Sequence, residues 1–372
     1  MQQPYAHRCG PLLPVGVISL LAATAIISQS IAMPRELSMC GPDGTCHEEP
    51  STPSPRTQYT ATRLSVRSAW THFHEELARR AAAYAPTQKP LLLLGDSITE
   101  AWLGTSMNEE SERARGCPQV LSRKFPDYSP LVLAISGDQT QHLLWRLQNG
   151  EWPSAVPSAT VVLMIGTNNL GRGHLPGETA RGVVAVASDV LRRLDGASKL
   201  LVLGLLPRGD GSRILKRLCP PRCDKQGAPY SSFMPAVAKV NSDVQQAIGD
   251  LHDNRVVYAD CGLAFLDAAG EVRERLMPDR LHPNAEGLGL LADCIRSTLS
   301  YTFLTDPEQA SRQGFSTQAA VGTGGGGGEG SPPSSRSSRS TSLFARAACR
   351  TQLSSTRHEL EHSLLNKWAS LR

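Results

Sequence analysis

Four short segments carry residue types that could work together on an ester. Gly95-Asp96-Ser97-Ile98-Thr99 presents a hydroxyl directly after a short apolar run, and Asp279-Arg280-Leu281-His282-Pro283 holds a carboxylate and an imidazole three positions apart. That spacing would let Asp279 accept from one ring nitrogen of His282. The other nitrogen would then be free to take a proton from Ser97, which turns a hydroxyl into a nucleophile. Ser136-Gly137-Asp138 and Gly166-Thr167-Asn168-Asn169 offer a backbone N–H and a side-chain NH₂, the donors that hold a tetrahedral oxyanion. Singly, each has a plainer reading. Ser97 or Thr99 could cap a helix, Asp279 and His282 could be a helix-terminal acid beside a half-exposed imidazole, and the Gly-containing segments could be ordinary turns. Together, each on the loop after a different strand, they are hard to explain as turns.

The strands come from apolar runs at Leu91–Leu94, Leu131–Ile135, Thr160–Ile165, Lys199–Leu206 and Arg255–Tyr258. Their length and their Leu, Val and Ile content predict buried strands. Helical patterns cover Ser68–Ala85, Thr140–Asn149, Glu178–Leu194, Pro235–Leu251 and Asn284–Leu299. Strand and helix in alternation predict an α/β fold, with a parallel sheet covered on both faces. In such sheets ligands sit beyond the carboxyl ends of the strands, which is where all four segments fall.

With those segments in this order, the chain resembles the SGNH hydrolases of the GDSL esterase and lipase superfamily. The blocks are Gly95-Asp96-Ser97, Gly137, Gly166-Thr167-Asn168-Asn169 and Asp279-x-x-His282. Within the superfamily it is most similar to the catalytic subunits of the Ib-type platelet-activating-factor acetylhydrolases, through the run from Gly137 to Glu151, Val161 to Asn169, and Val202 to Gly209. The likeness spans about residues 66–300. It implies a flavodoxin-like three-layer α/β/α sandwich with five parallel strands. It also implies a catalytic triad of Ser97, Asp279 and His282, and an oxyanion hole made by the backbone N–H of Ser97 and Gly137 with the side chain of Asn168. No cofactor and no metal are implied. The partner is a small ester, with a homodimer as the family's habit. Two departures bear on substrate. Ser136 stands where the acetylhydrolase subunits usually have Gly, and would be strained if that position needs positive φ. The segment Ser212–Met234 looks inserted on the carboxyl edge, where it could narrow an acyl pocket.

Composition limits the rest. The chain has 372 residues, 40% hydrophobic and 19% charged, which excludes a fully disordered protein. Formal net charge is +4, of which +3 falls in residues 303–372, so the body carries no electrostatic footprint for nucleic acid. No strand is followed by a Gly-rich phosphate motif, which sets nucleotide binding aside. The N-terminus, with an apolar run from Val15 to Ile27 and small residues at Ser30-Ile31-Ala32, reads as a secretory signal over 1–32. The alternatives are an uncleaved anchor, the one route to a membrane attachment, or a transit peptide. Behind a signal the cysteines are expected to pair, with Cys40/Cys46 and Cys219/Cys223 as candidate short loops and the connectivity open. Residues 33–63, rich in Pro, Ser and Thr from Glu48 on, read as a linker, 64–302 as the hydrolase domain, and 303–372 as a Gly/Ser-rich tail. The expected activity is a secreted serine esterase for short, acetyl-type acyl groups. An extracellular carbohydrate O-deacetylase, or a non-catalytic binding protein on the same fold, is the alternative.

Overall fold

The computed structural model describes residues 48–56 and 64–303, apart from 155, 210 and 221. The expected signal segment, Cys9, Cys40, Cys46, residues 33–47 and 57–63 of the expected linker, and the tail from 304 on lie outside the described residues.

Strands β1 (Lys89–Gly95), β2 (Tyr128–Ala134), β3 (Thr160–Met164), β4 (Lys199–Leu203) and β5 (Val256–Ala259) form one parallel sheet in the order β2-β1-β3-β4-β5. Helices α1 (Leu64–Ala82), α2 (Cys117–Lys124), α3 (Thr140–Gln148), α4 (Pro176–Arg193), α5 (Ser212–Leu218), α6 (Met234–Asp250) and α7 (Ala285–Phe303) surround it. This is the expected α/β fold with the flavodoxin-like strand order. Alternate residues of a strand face opposite sides, so a run such as Leu91–Leu94 needs two apolar layers. Leu92 and Leu94 bury against Phe73 and Leu77 of α1, Leu143 of α3, Val183 of α4 and Val240 of α6. Leu91 and Leu93 bury on the other face with Val120 of α2 and Leu288 and Leu291 of α7.

Register matters more for the site than the core does. Gly95 pairs with Ala134 on one side and Met164 on the other. The three strands therefore end level, and the loops carrying Ser97, Gly137 and Asn168 leave the sheet side by side. Gly95 is required here because a Cβ would lie 2.5 Å from the carbonyl oxygen of Met164.

Residues 48–56, assigned by composition to a linker, instead lie along the carboxyl edge as a strap. Pro50 is buried, its carbonyl accepts from Thr140 Oγ1 at 2.8 Å, and Ser54 N donates to the carbonyl of Gln141 at 3.1 Å. At its end the Arg56 guanidinium reaches the Ser136 carbonyl and pairs with Asp138 at 3.0 Å. What holds the strap is one buried proline and one charged anchor, neither of which produces apolar periodicity. A catalytic unit cut at Leu64 would lack it. Arg56→Ala is expected to cost about 2 kcal/mol in urea unfolding, the scale of hydrogen bonds to a charged group. A midpoint unchanged from wild type would show the strap to be ornamental.

The inserted segment forms α5 and a clip closed by the Cys219–Cys223 disulfide, while Cys261–Cys294 ties the loop after β5 to α7. Cys117 is a buried free thiol. No described helix is long and apolar enough to cross a membrane.

Candidate active site

The chain turns sharply after β1, and Asp96 rather than Ser97 caps the helical turn Ser97–Glu100, its Oδ1 accepting from Ile98 N at 3.0 Å. Ser97 is thereby left with its hydroxyl directed at His282, with Oγ 2.9 Å from Nε2. His282 Nδ1 lies 2.6 Å from Asp279 Oδ2. The Asp279–His282 loop is locally determined. Asp279 Oδ1 accepts from Leu281 N at 3.0 Å and His282 N at 2.7 Å, and Arg280 between them takes the left-handed conformation at φ 59°. Gly209 N donates to the Arg280 carbonyl at 2.8 Å and pins the strained residue from the loop after β4.

Burial differs along this chain of groups. Ser97 is 5% and His282 9% exposed, whereas the Asp279 side chain is 47% exposed. Partial burial pushes the Asp279 carboxyl up, but the hydrogen bonds from His282 outweigh it and hold the group well below the usual carboxylate range. Asp279 is therefore a fixed negative charge beneath the imidazole. A hydroxyl, an imidazole and a carboxylate in series can deliver a nucleophile and return its proton to a leaving group.

The neighbouring loops meet at the same place. Gly137 takes positive φ at 82°, and Ser136 before it does not, so the expected strain at Ser136 is absent; the left-handed position falls on the glycine. Glu100, fully buried, fixes that turn by accepting from Ser136 N at 2.6 Å. Asn168 follows Gly166, and its Nδ2 donates to the Asp138 carbonyl at 2.9 Å and to Asp96 Oδ2 at 3.2 Å. Beneath the loops, Asp138 sits in a sealed polar cluster, with Arg146 Nε at 2.7 Å and Trp70 Nε1 at 2.8 Å. Arg146 also pairs with Glu151, which His74 meets at 2.7 Å. Burial alone would raise the Asp138 carboxyl, but the guanidiniums of Arg146 and Arg56 hold it below its ordinary range. The cluster stiffens the loop that presents Gly137.

All five residues expected from the sequence thus lie on adjoining loops of one edge, and Ser97, His282 and Asp279 are in hydrogen-bond contact. Asp96, Glu100, Arg56, Arg113 and Arg208 belong to the same neighbourhood and were given no role from the sequence, although Asp96 and Arg208 lie within the segments that carry the resemblance. Arg208 donates to Thr167 Oγ1 at 3.2 Å and stacks on Phe233, and burial lowers it to about 10. Among the described residues no cluster of three or more potential metal-ligating side chains occurs. The inserted segment helps line a cavity of about 320 Å³ with Leu170, Leu215, Leu218, Arg222 and Phe233 among others, but none of Ser97, Gly137, Asn168, Asp279 and His282 lines it.

Burial raises the Asp96 carboxyl to about 7, partly opposed by the Ile98 N–H. Its folded pKa therefore exceeds the ordinary carboxylate value. The stability this group contributes is full below that ordinary value and is lost as pH rises through about 7. The wild-type melting temperature should fall more between pH 5 and pH 8 than that of Asp96→Asn, which has no carboxyl to ionise. Equal slopes in thermal melts at the two pH values would contradict this.

A parallel sheet with hydroxyl, imidazole and carboxylate on its carboxyl edge defines a serine hydrolase type of site. Residues 93–289 match the model of the GDSL-like lipase/acylhydrolase family, and the chain belongs to that family. Among curated proteins it is 30% identical over 191 residues to bovine platelet-activating factor acetylhydrolase IB subunit alpha1, covering 51% of this chain and 72% of that protein. The human alpha2 subunit is 28% identical, over 51% of this chain and 73% of that one. Among solved structures it is similar to a GDSL-like lipase from Bacteroides thetaiotaomicron, with TM-score 0.43 and 17% identity over 61% of this chain and 97% of that one. An acetyl xylan esterase aligns with TM-score 0.40 and 18% identity, over 56% and 99% of the respective chains. The protein is a carboxylic ester hydrolase, an enzyme whose substrates are small esters.

Proposed function

We propose that the protein is a serine esterase that removes short, acetyl-type acyl groups through an acyl-enzyme. The observation that carries the reading is the unbroken series Ser97 Oγ, His282 Nε2 at 2.9 Å, and Asp279 Oδ2 at 2.6 Å from Nδ1. Ser97 Oγ attacks the ester carbonyl carbon as its proton passes to His282 Nε2. The carbonyl oxygen becomes an oxyanion held by the N–H groups of Ser97 and Gly137 and by Asn168 Nδ2. In the free enzyme the amide hydrogens of Asn168 go to the Asp138 carbonyl at 2.9 Å and to Asp96 Oδ2 at 3.2 Å, so the longer bond to Asp96 gives way when Nδ2 turns a hydrogen to the oxyanion. Collapse expels the alcohol with the proton from His282. Water then attacks the acyl-enzyme, giving its proton to His282, and the acid leaves as that proton returns to Ser97.

The names of the curated relatives, acetylhydrolase subunits, support the short acyl group. The apolar run Val15–Ile27 and the two disulfides support passage through an oxidising, secretory compartment. One experiment addresses both: express the full chain in secreting cells, recover it from the medium, read its N-terminus, and assay 4-nitrophenyl acetate, butyrate and octanoate. Expected is a start after Ala32 and kcat/KM highest for acetate. Octanoate as the best ester would overturn the short-acyl reading, and a mature chain beginning at Met1 the leader.

A further inference from the structure

The Gly137 N–H belongs to the peptide that joins Ser136 to Gly137, and that peptide is the middle one of a turn. Asp138 N donates to the Ile135 carbonyl at 3.1 Å, and Gly137 takes φ 82°. Positive φ at the third of the four residues marks a type II turn. A type I turn closes in the same way with its middle peptide turned over, so that its N–H points to the opposite side. Glycine takes either sign of φ at little cost, and the turn by itself does not choose between the two. The bond from Ser136 N to Glu100 fixes the peptide before the middle one and leaves the middle one free to turn.

Arg56 makes the choice. Its Nη2 donates to the Ser136 carbonyl, the other end of the same peptide, and lies 3.0 Å from where a Cβ on Gly137 would stand. In a trans peptide C=O and N–H point in opposite directions, so anchoring the carbonyl aims the N–H. The guanidinium is itself held, with Nε and Nη2 at 3.2 and 3.0 Å from Asp138 Oδ1 and the side chain 6% exposed. Arg146 and Trp70 already bond the Asp138 carboxylate, so the separate contribution of Arg56 is the bond to the Ser136 carbonyl. It comes from the strap, which precedes the residues 93–289 that carry the family match.

Resting on the serine-esterase reading above, with Gly137 as an oxyanion donor, we infer that Arg56 is a positioning residue that holds the Ser136–Gly137 peptide with its N–H toward the oxyanion. The strap thereby completes the oxyanion hole from outside the matched domain. Because Asp138 balances its charge, Arg56 acts through the orientation of the peptide. Its loss weakens the hold on the transition state and leaves ground-state binding as it was.

The test compares the full wild-type chain with Arg56→Ala on 4-nitrophenyl acetate, with trifluoroacetone and 4-nitroacetanilide as inhibitors. Ser97 Oγ adds to the ketone carbon as its proton passes to His282, which leaves an oxyanion in the hole. The anilide matches the ester in shape and forms no adduct. Removing an oxyanion donor outright costs about 10²- to 10³-fold, so a peptide turned away part of the time predicts a loss of about 10- to 100-fold in kcat/KM. The inhibition constant of trifluoroacetone should rise by a similar factor, while that of the anilide stays within about twofold. Arg56→Lys, which can still donate to the carbonyl, should recover part of the loss. A merely structural role would lower the active fraction with both inhibition constants unchanged, or loosen both alike. Circular dichroism confirms that the variants are folded; should Arg56→Ala not fold, Arg56→Met, which keeps the packing of the stem and has no donor, takes its place. Wild-type kcat/KM in the folded variant, or inhibition constants that stay together, overturns the inference. The esterase reading fails differently: a wild type that leaves 4-nitrophenyl acetate intact ends both, whereas an active wild type with an equally active variant ends this inference alone.

Discussion

Ser97→Ala is expected to lower kcat for 4-nitrophenyl acetate by at least about 10⁴-fold, and His282→Ala by as much. The size follows from the roles proposed for them: no other hydroxyl can take the place of Oγ in a covalent intermediate, and removing either the nucleophile or its base stops the same step. The variant should remain folded. Asp96, not Ser97, supplies the side-chain cap of the helical turn, and the Ser97 hydroxyl is directed at His282 Nε2 at 2.9 Å. Loss of one partly satisfied hydroxyl costs little stability compared with loss of a cap. A fluorophosphonate probe should label the wild type and leave Ser97→Ala unlabelled. Substantial activity in folded Ser97→Ala would place the chemistry elsewhere.

Asp279→Asn should reduce kcat by about 10³- to 10⁴-fold while leaving the fold intact. Asn Oδ1 can still accept from the backbone N–H groups of Leu281 and His282, so the loop keeps its shape. At the other atom the sense of the bond reverses. The amide NH₂ in place of Oδ2 donates toward His282 Nδ1, which then must be the unprotonated nitrogen, and the proton moves to Nε2. An imidazole with N–H facing Ser97 cannot act as its base. The 47% exposure of the Asp279 side chain argues for the lower end of the range, because solvent can replace part of its electrostatic effect. Single-turnover measurements of acylation give the comparison, and a fall of less than tenfold would leave Asp279 a merely structural residue of the loop.

Much of this was readable from residue order. Runs such as Leu91–Leu94 have no polar residue in them, and their shortness and the glycine that follows favour a strand buried on both faces over a core helix segment. Glycines at 95 and 137 and the Asp279/His282 spacing also have local reasons. Gly95 leaves no room for a Cβ, Gly137 needs positive φ, and the Asp279 carboxylate bonds backbone and ring of a residue three positions on. Helix α2, eight residues around Pro118, was too short to show a period, and it packs because α7 covers it.

The parts that stayed hidden depend on contacts between distant positions. Arg56 looked like one charge in a Pro/Ser/Thr-rich stretch until the fold brought Asp138, 82 residues away, within 3.0 Å of it. Arg113 belonged to a polar loop until the fold laid it on His282, 169 residues on. Cys261 and Cys294 could pair only once α7 lay beside the loop after β5. The sequence by itself determined the strands and placed Ser97, Asp279 and His282 on the edge they share, since hydrophobic period and turn chemistry act over a few residues. Tertiary structure alone decided which charges surround the triad, because electrostatic partners are chosen by distance in space, and a side chain's neighbours across a sheet edge leave no mark on the residues beside it in the chain.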